Sequence, residues 1–111
     1  MKRLGIAFSG GPNPAEIVEC VKLAEALGYE SAWVAEGHGG DQFAVLAACA
    51  TQTSRILLGT SITSVFVRTV PTIAMAAATV DHLSAGRFIL GIGSSPRFRS
   101  RASTACPTAN R

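Results

Sequence analysis

Cysteine is scarce in this chain, and its spacing excludes two common kinds of small protein. The three cysteines, Cys20, Cys49 and Cys106, form no CxxC pair and no cluster with histidine. A disulfide framework and a structural zinc site both depend on such clusters. We therefore expect Cys20 and Cys49 to be small buried side chains on helices.

Long hydrophobic runs are also absent, although 48% of the residues are hydrophobic. The first apolar run ends at Ser9 after about five residues, which is too short for the core of a secretory signal. A later run at residues 73–80 is rich in alanine, follows Pro71 and is too short to span a bilayer. These features predict a cytoplasmic protein without a membrane partner.

Basic residues are rare in the main part of the chain, although the formal net charge is +3. Residues 1–96 carry six basic and seven acidic side chains, a net charge of −1, and the other four basic residues lie in a terminal stretch without acids. A nucleic-acid interface needs basic residues on one face of a folded element, interleaved with aromatic residues. We therefore expect no nucleic-acid partner.

Short apolar runs bounded by turn residues predict four strands. They lie at residues 3–8, 31–35, 55–63 and 87–93. The third run is apolar on consecutive residues, which is typical of a strand that is covered on both faces.

Helix start and stop signals lie between these strands. Asn13 and Pro14 open the first helix, and Gly28 ends it. Asp41 is suited to cap a second helix. Pro71 opens a third helix that runs to about Leu83. Alternation of strands and helices with short connections predicts an α/β fold of parallel strands with right-handed crossovers.

Polar and glycine-rich segments follow each predicted strand, where parallel α/β folds place their binding sites. Glu36 and His38 follow the second strand, and they could do acid/base work or hold a cofactor ring. They could equally belong to a solvated loop with Asp41 as a helix cap. Arg68 precedes the third helix and could receive an anion or simply be exposed. One histidine with one or two acids is too little for a metal site.

Three segments resemble a known family. The stretches "LGYESAWVAE", "SRILLGT" and "TVDHLSAGRFILGIG", in this order and spacing, resemble the bacterial luciferase-like superfamily. The chain is most similar to the branch that depends on the deazaflavin coenzyme F-420, which includes relatives of methylenetetrahydromethanopterin reductase. The resemblance covers nearly all of residues 1–96.

The resemblance implies a (β/α)8 TIM barrel, of which this chain supplies the N-terminal half. It implies an oxidoreductase in which a hydride passes between the coenzyme and a small-molecule substrate, both bound above the strand ends. The implied coenzyme is F-420, with FMN and a monooxygenase activity as the alternative. Glu36 and His38 fall where the family places polar contacts to cofactor or substrate.

The residues expected to bind the cofactor also follow the strands. The family commonly has a non-prolyl cis peptide at the third strand end, which we place between Ser61 and Ile62, although glycine often stands at the position of Ser61. The expected set comprises Ser9, Ser61, Ile62, Thr63, Arg68, Gly93 and Ser94.

The terminal stretch, residues 96–111, departs from the family pattern. It contains four arginines and no acid or apolar periodicity. Permitted codons for these residues, read in another frame, yield the ordered pieces Gln-Val-Glu-Gly, His-Gly and Pro-Tyr of the family's own continuation. We therefore expect a partial barrel domain at residues 1–95 and an irregular, disordered, out-of-frame tail at residues 96–111. The alternative is a native basic tail with its own partner.

A partial barrel leads to a second hypothesis for function. An eight-stranded barrel needs about 250 residues, and a half barrel exposes strand edges that invite pairing or aggregation. The chain would then be a catalytically inactive truncated remnant that self-associates as a homo-oligomer. The substrate of the enzyme alternative is not indicated by these residues.

Overall fold

The computed structural model describes residues 3–9, 12–36, 40–64 and 67–93. The elements, in chain order, are β1 (Gly5–Phe8), α1 (Pro14–Ala26), β2 (Ser31–Val34), α2 (Gln42–Gln52), β3 (Leu57–Thr60), β4 (Thr63–Ser64), α3 (Val70–Leu83), β5 (Phe88–Ile89) and β6 (Ile92–Gly93). None of the helices in these ranges combines the length and apolar character that a bilayer crossing requires.

Parallel strands form the centre of the molecule. The main sheet has the order β1-β2-β3-β5, and every neighbouring pair is parallel. Ala32 on β2 pairs with Ile6 on one side and Leu58 on the other. This order confirms the predicted succession of parallel βα units.

Local capping signals set the helix boundaries as predicted. The Asn13 side chain accepts a hydrogen bond from the Glu16 N–H, and the Glu16 carboxylate accepts one from the Asn13 N–H, each at 2.9 Å. Gly28, which follows α1, has a φ of 89°, a left-handed conformation that glycine adopts without penalty. Asp41 caps α2 by accepting the Ala44 N–H at 2.8 Å.

The third helix begins one residue before the predicted start. Thr69 is its N-cap, and its hydroxyl oxygen accepts the Thr72 N–H at 3.3 Å. Pro71 therefore occupies the second helical position, where its missing N–H costs no helical hydrogen bond. Gly86 follows the helix with a φ of 86°, as expected for a helix stop.

Two predicted strands are each broken into two shorter ones. The predicted strand at residues 55–63 becomes β3 and β4, and the one at residues 87–93 becomes β5 and β6. The Thr60 hydroxyl donates to the Gly91 carbonyl at 2.9 Å and accepts the Gly91 N–H at 2.6 Å. A Cβ on Gly91 would lie 2.6 Å from the Thr60 carbonyl oxygen. This side-chain bridge replaces the regular ladder, which resumes when β4 pairs with β6.

Apolar side chains of the helices and the strands pack together in one core cluster. Leu46 of α2 and Leu58 of β3 are completely buried, and the rings of Phe43 and Phe88 pack with their centroids 6.1 Å apart. Cys49 is buried as predicted, and burial raises the pKa of its thiol to about 12. Cys20 is only half-buried, so its predicted burial is partly wrong.

At the amino ends of the strands, Glu25 ties α1 to the turn before β3. Its Oε2 accepts backbone N–H groups from Ser54 at 2.9 Å, Arg55 at 2.5 Å and Ile56 at 3.0 Å. Partial burial opposes ionisation of Glu25, but these three hydrogen bonds outweigh it and hold its pKa below the ordinary value. The ionised carboxylate therefore stabilises the folded chain.

This linkage predicts how stability depends on pH. Because the folded pKa of Glu25 is lowered from 4.5, its contribution is present above that value and is lost as the pH falls through the folded pKa. Glu25→Gln should flatten the decline of the thermal midpoint as the pH falls below 4.5. Differential scanning calorimetry at several pH values measures this decline.

Glu19 on the same helix provides the matched control for Glu25. Its side chain is 72% exposed and pairs with Lys22 at 3.5 Å. An exposed pair of this kind contributes little to stability, so Glu19→Gln should retain the acid-induced decline of the parent chain. Equal flattening by both substitutions would contradict a specific role for Glu25.

Candidate functional site

The carboxyl ends of three strands meet at one edge of the main sheet. Phe8 pairs with Val34, and Val34 pairs with Thr60, so β1, β2 and β3 end in register. The chain leaves this edge at Ser9, Glu36 and Ser61. Because the strands are parallel, residues that are distant in sequence gather there, as the sequence predicted.

A buried amide joins these strand ends. Gln42 is completely buried, and its Nε2 donates to the Val34 carbonyl at 2.7 Å and to the Ile62 carbonyl at 3.2 Å. Its Oε1 accepts the Thr63 hydroxyl at 2.9 Å. Thr63 is itself completely buried, so it supports the strand end and does not face the surface. Gln42 thus links the ends of β2, β3 and β4 through one side chain.

The expected cis peptide between Ser61 and Ile62 is wrong, because the described residues contain only trans peptide bonds. The chain turns instead through Ile62, which has a φ of 75°. This left-handed conformation is unusual for a β-branched residue and persists where surrounding contacts impose it. The Ser61 N–H donates to the Val34 carbonyl, and the Thr63 N–H donates to the Gly91 carbonyl. Backbone hydrogen bonds therefore fix the residues on both sides of Ile62.

This turn presents the Ile62 side chain at the strand-end edge. The side chain is 55% exposed, although it is large and apolar. Gly93 on β6 lies beside it, where an added Cβ would be 3.1 Å from the nearest Ile62 carbon. The pair packs closely enough that a Cβ at position 93 would require the Ile62 side chain to shift by a few tenths of an ångström.

Arg68 lies at the centre of an ion-pair cluster and is not simply exposed. Its Nη2 donates to Glu36 Oε2 at 3.0 Å and Oε1 at 3.2 Å, and it also pairs with Asp41 Oδ1. Its Cζ lies 4.9 Å from the centre of the Phe43 ring. Cation–π contact and two carboxylates together fix the guanidinium.

The cluster favours the charged forms of Asp41 and Arg68. Partial burial opposes ionisation of Asp41, but hydrogen bonds from the Ala44 N–H and from Arg68 lower its pKa below the ordinary value. Partial burial likewise opposes the charge on Arg68, and hydrogen bonds to Asp41 and Glu36 raise its pKa. Asp41 and Arg68 therefore stay ionised over the physiological pH range.

Apart from Thr63, which is buried, the predicted site residues form four pairs. Glu36 and Arg68 are paired with each other, and Ile62 and Gly93 are in contact. Ser9 and Ser61 are exposed at the strand ends. His38 and Ser94 lie outside the described residues, so their roles stay predictions.

Sequence reasoning missed Gln42 and Phe43 as parts of this site. Gln42 directly follows a helix cap and stands in a segment that is otherwise apolar, and a polar residue in a predicted core face is the signal that could have found it. Phe43 was assigned only to the apolar face of its helix. Within the described ranges, no group of three or more His, Cys, Asp or Glu residues could hold a metal ion.

Parallel strands with helical crossovers and polar residues at their carboxyl ends are the architecture of a (β/α)8 barrel enzyme. The chain belongs to the luciferase-like monooxygenase family, whose profile matches residues 3–103. The described strands are thus part of a luciferase-like barrel. The profile match extends past residue 95, where we predicted a domain boundary, and the predicted tail lies outside the described residues.

Individual relatives include F-420 enzymes. The chain is 41% identical over 90 residues to a Mycobacterium tuberculosis protein named as a coenzyme F-420-dependent oxidoreductase, covering 81% of this chain and 26% of that protein. It is 36% identical to 5,10-methylenetetrahydromethanopterin reductase of Methanopyrus kandleri, over 80% of this chain and 26% of that protein.

A solved structure shows the same fold. The coenzyme F-420-dependent tetrahydromethanopterin reductase of Methanopyrus kandleri superposes with a TM-score of 0.83 at 31% identity, covering 96% of this chain and 30% of that one. The chain therefore spans between a quarter and a third of the length of these relatives.

Proposed function

We propose that this chain forms the first part of the coenzyme site of an oxidoreductase that transfers a hydride between the deazaflavin F-420 and an organic substrate. The observation that carries the proposal is the rigid strand-end turn, where Ile62 is exposed beside Gly93. Both F-420-dependent relatives described above support this choice of coenzyme. The chain covers only 26% and 30% of the length of these relatives, so catalysis is proposed for a full-length (β/α)8 barrel and not for this stretch alone.

The residues at the strand ends fit a flat, partly polar ring. Ile62 offers an apolar contact surface, and the absence of a side chain at Gly93 lets the two residues pack closely. Ser9 and Ser61 supply exposed hydroxyl groups at the same edge. Such a combination of apolar surface and a few polar groups is typical of cofactor sites.

The proposed chemistry divides between coenzyme and protein. When bound, the coenzyme supplies or accepts the hydride, and the protein provides position and electrostatics. Glu36 and His38 are proposed to contact the coenzyme or substrate and to hold the proton that accompanies the hydride. Gln42 keeps the turn at Ile62 in place through its hydrogen bond at 3.2 Å.

Coenzyme titration with a matched pair of variants tests this proposal. Saturable binding of F-420 to the purified chain, followed by fluorescence, is the expected result. Ile62→Asn should weaken binding about tenfold, because it removes an apolar contact while asparagine tolerates the left-handed conformation. Leu27→Asn is the control, since Leu27 is 67% exposed at the far end of α1 and should leave affinity unchanged.

Two outcomes would overturn the proposal. The first is the absence of binding by a folded chain, and the second is an equal loss of affinity in Ile62→Asn and Leu27→Asn. A parallel titration with FMN addresses the monooxygenase alternative that the family description suggests. Binding of FMN but not of F-420, with oxygen consumption when the FMN is supplied in its reduced form, would favour that alternative.

Self-association is the second candidate function, and the sheet edges favour it. Within the described residues, β1 and β5 each pair with one neighbour only. Leu4 beside β1 is 47% exposed, and Ile89 on β5 is 38% exposed. Unpaired edges with apolar side chains promote strand pairing between chains. Light scattering after size-exclusion chromatography should show defined oligomers or aggregates, whereas a stable monomer would contradict this candidate.

A further inference from the structure

We propose that Arg68 is a positioning residue that fixes the carboxylate of Glu36 at the strand-end surface, and that it is not itself an anion-binding residue. The inference deepens the proposed function, on which its coenzyme-binding part rests. The positioning part depends only on the described residues and can be tested without any ligand.

The contacts of Arg68 identify what it holds. One guanidinium nitrogen, Nη2, lies within 3.2 Å of both Glu36 oxygens and also pairs with Asp41. The other oxygen of Asp41 accepts the Ala44 N–H at the start of α2. Arg68 thereby connects the segment after β2 to the start of α2, from a position that immediately precedes α3.

Burial constrains the geometry of this ion pair. The side chains of Arg68 and Glu36 are only 15% and 21% exposed, so the pair is more constrained than a surface ion pair. The ring of Phe43 lies 4.9 Å below the guanidinium. Three directions of contact therefore determine where the Glu36 carboxylate can lie.

The charge balance argues against an anion site at Arg68. One positive charge faces two carboxylates, which leaves the cluster with a net charge of −1 and repels an approaching anion. The donors of Nη2 are directed at those carboxylates, and Nε is buried without a hydrogen-bond partner among the described residues. An arriving anion would have to displace Glu36 or Asp41 to reach Nη2.

Side-chain NMR of the coenzyme-free chain provides the direct test. Three-bond couplings of Glu36 should indicate a single rotamer in the parent chain and rotamer averaging in Arg68→Met. Arg68→Lys should restore part of the order, because an ammonium group retains the charge but lacks the planar fork. The core substitution Ile17→Val, at a position that is 1% exposed, lowers stability away from the cluster and should leave the Glu36 couplings unchanged.

Coenzyme binding supplies the second measurement. If Arg68 acts through Glu36, Arg68→Met and Glu36→Gln should each reduce F-420 affinity about tenfold, and the double variant should lose little more than either single one. Additive losses would indicate that Arg68 binds the coenzyme directly and would overturn the inference.

The two proposals fail in different ways. A parent chain that binds no F-420 contradicts the proposed function, whereas the Glu36 couplings still decide the positioning role. A single Glu36 rotamer that persists in Arg68→Met, or averaging that occurs equally in Ile17→Val, overturns the positioning role. If Arg68→Met does not fold, the couplings in Arg68→Lys decide, and couplings identical to those of the parent chain contradict the inference.

Discussion

Replacement of Arg87 by methionine is expected to lower the free energy of unfolding by about 4 kcal/mol. The guanidinium donates to the carbonyl oxygens of Ser84 at 2.7 Å, Ile56 at 2.9 Å, and Ala50 and Thr53 at 3.0 Å each. It thus connects α2, the segment between α2 and β3, and the turn after α3. Methionine fills similar space but leaves these carbonyls without their charged donor. Urea unfolding followed by circular dichroism measures the loss.

Arg3 provides the control for this prediction. It pairs with Glu30 at 3.0 Å, but its side chain is 79% exposed, and exposed ion pairs contribute little. Arg3→Met should therefore leave the urea midpoint almost unchanged. Arg87→Lys should be intermediate, because an ammonium group cannot reach all four carbonyls at once. Equal midpoints for Arg87→Met and Arg3→Met would refute the role assigned to Arg87.

The second large effect is expected for Gln42→Leu, at about 3 kcal/mol. Leucine has a similar volume, but it leaves the Val34 and Ile62 carbonyls and the Thr63 hydroxyl without their buried partner. The turn at Ile62 should then lose its fixed geometry, so coenzyme affinity should fall together with stability. Urea unfolding and F-420 titration of the same protein sample measure the two losses.

Gln52 at the other end of the same helix is the matched control for Gln42. It is exposed, and exposed helix positions tolerate leucine well. Gln52→Leu should therefore preserve both the unfolding midpoint and the affinity. If Gln42→Leu is as stable as Gln52→Leu, the buried amide does not hold the strand ends together.

Signals that act over a few residues were predicted correctly. Asn13 with Glu16, Asp41, and Gly28 each use contacts or backbone conformations within one helical turn. Such local preferences are fixed by the chemistry of neighbouring residues and survive in most tertiary contexts. The parallel arrangement also followed from the sequence, because short crossovers through helices permit little else.

The sequence predicted where the residues of the candidate site lie, but it did not predict which side chains they contact. Parallel topology required Glu36, Ser61 and Gly93 to lie at one edge, and this could be inferred from their places after the strands. The partners of Arg68 are 27 and 32 residues away, and no spacing rule connects them. The role of Arg87 was missed for the same reason. Its motif was interpreted only as evidence of the family, and the hydrogen bonds from Arg87 to backbone carbonyls were not foreseen.

The sequence by itself determined the helix boundaries, the succession of parallel strands and the family, because these depend on local chemistry and on an ordered set of motifs. Tertiary structure alone decided where the predicted strands at residues 55–63 and 87–93 are interrupted. It also decided that Ile62 turns the chain through a trans peptide and which carboxylates hold Arg68. Those features arise from contacts between segments about 20 to 35 residues apart. Their geometry is set by packing, which a linear pattern does not contain.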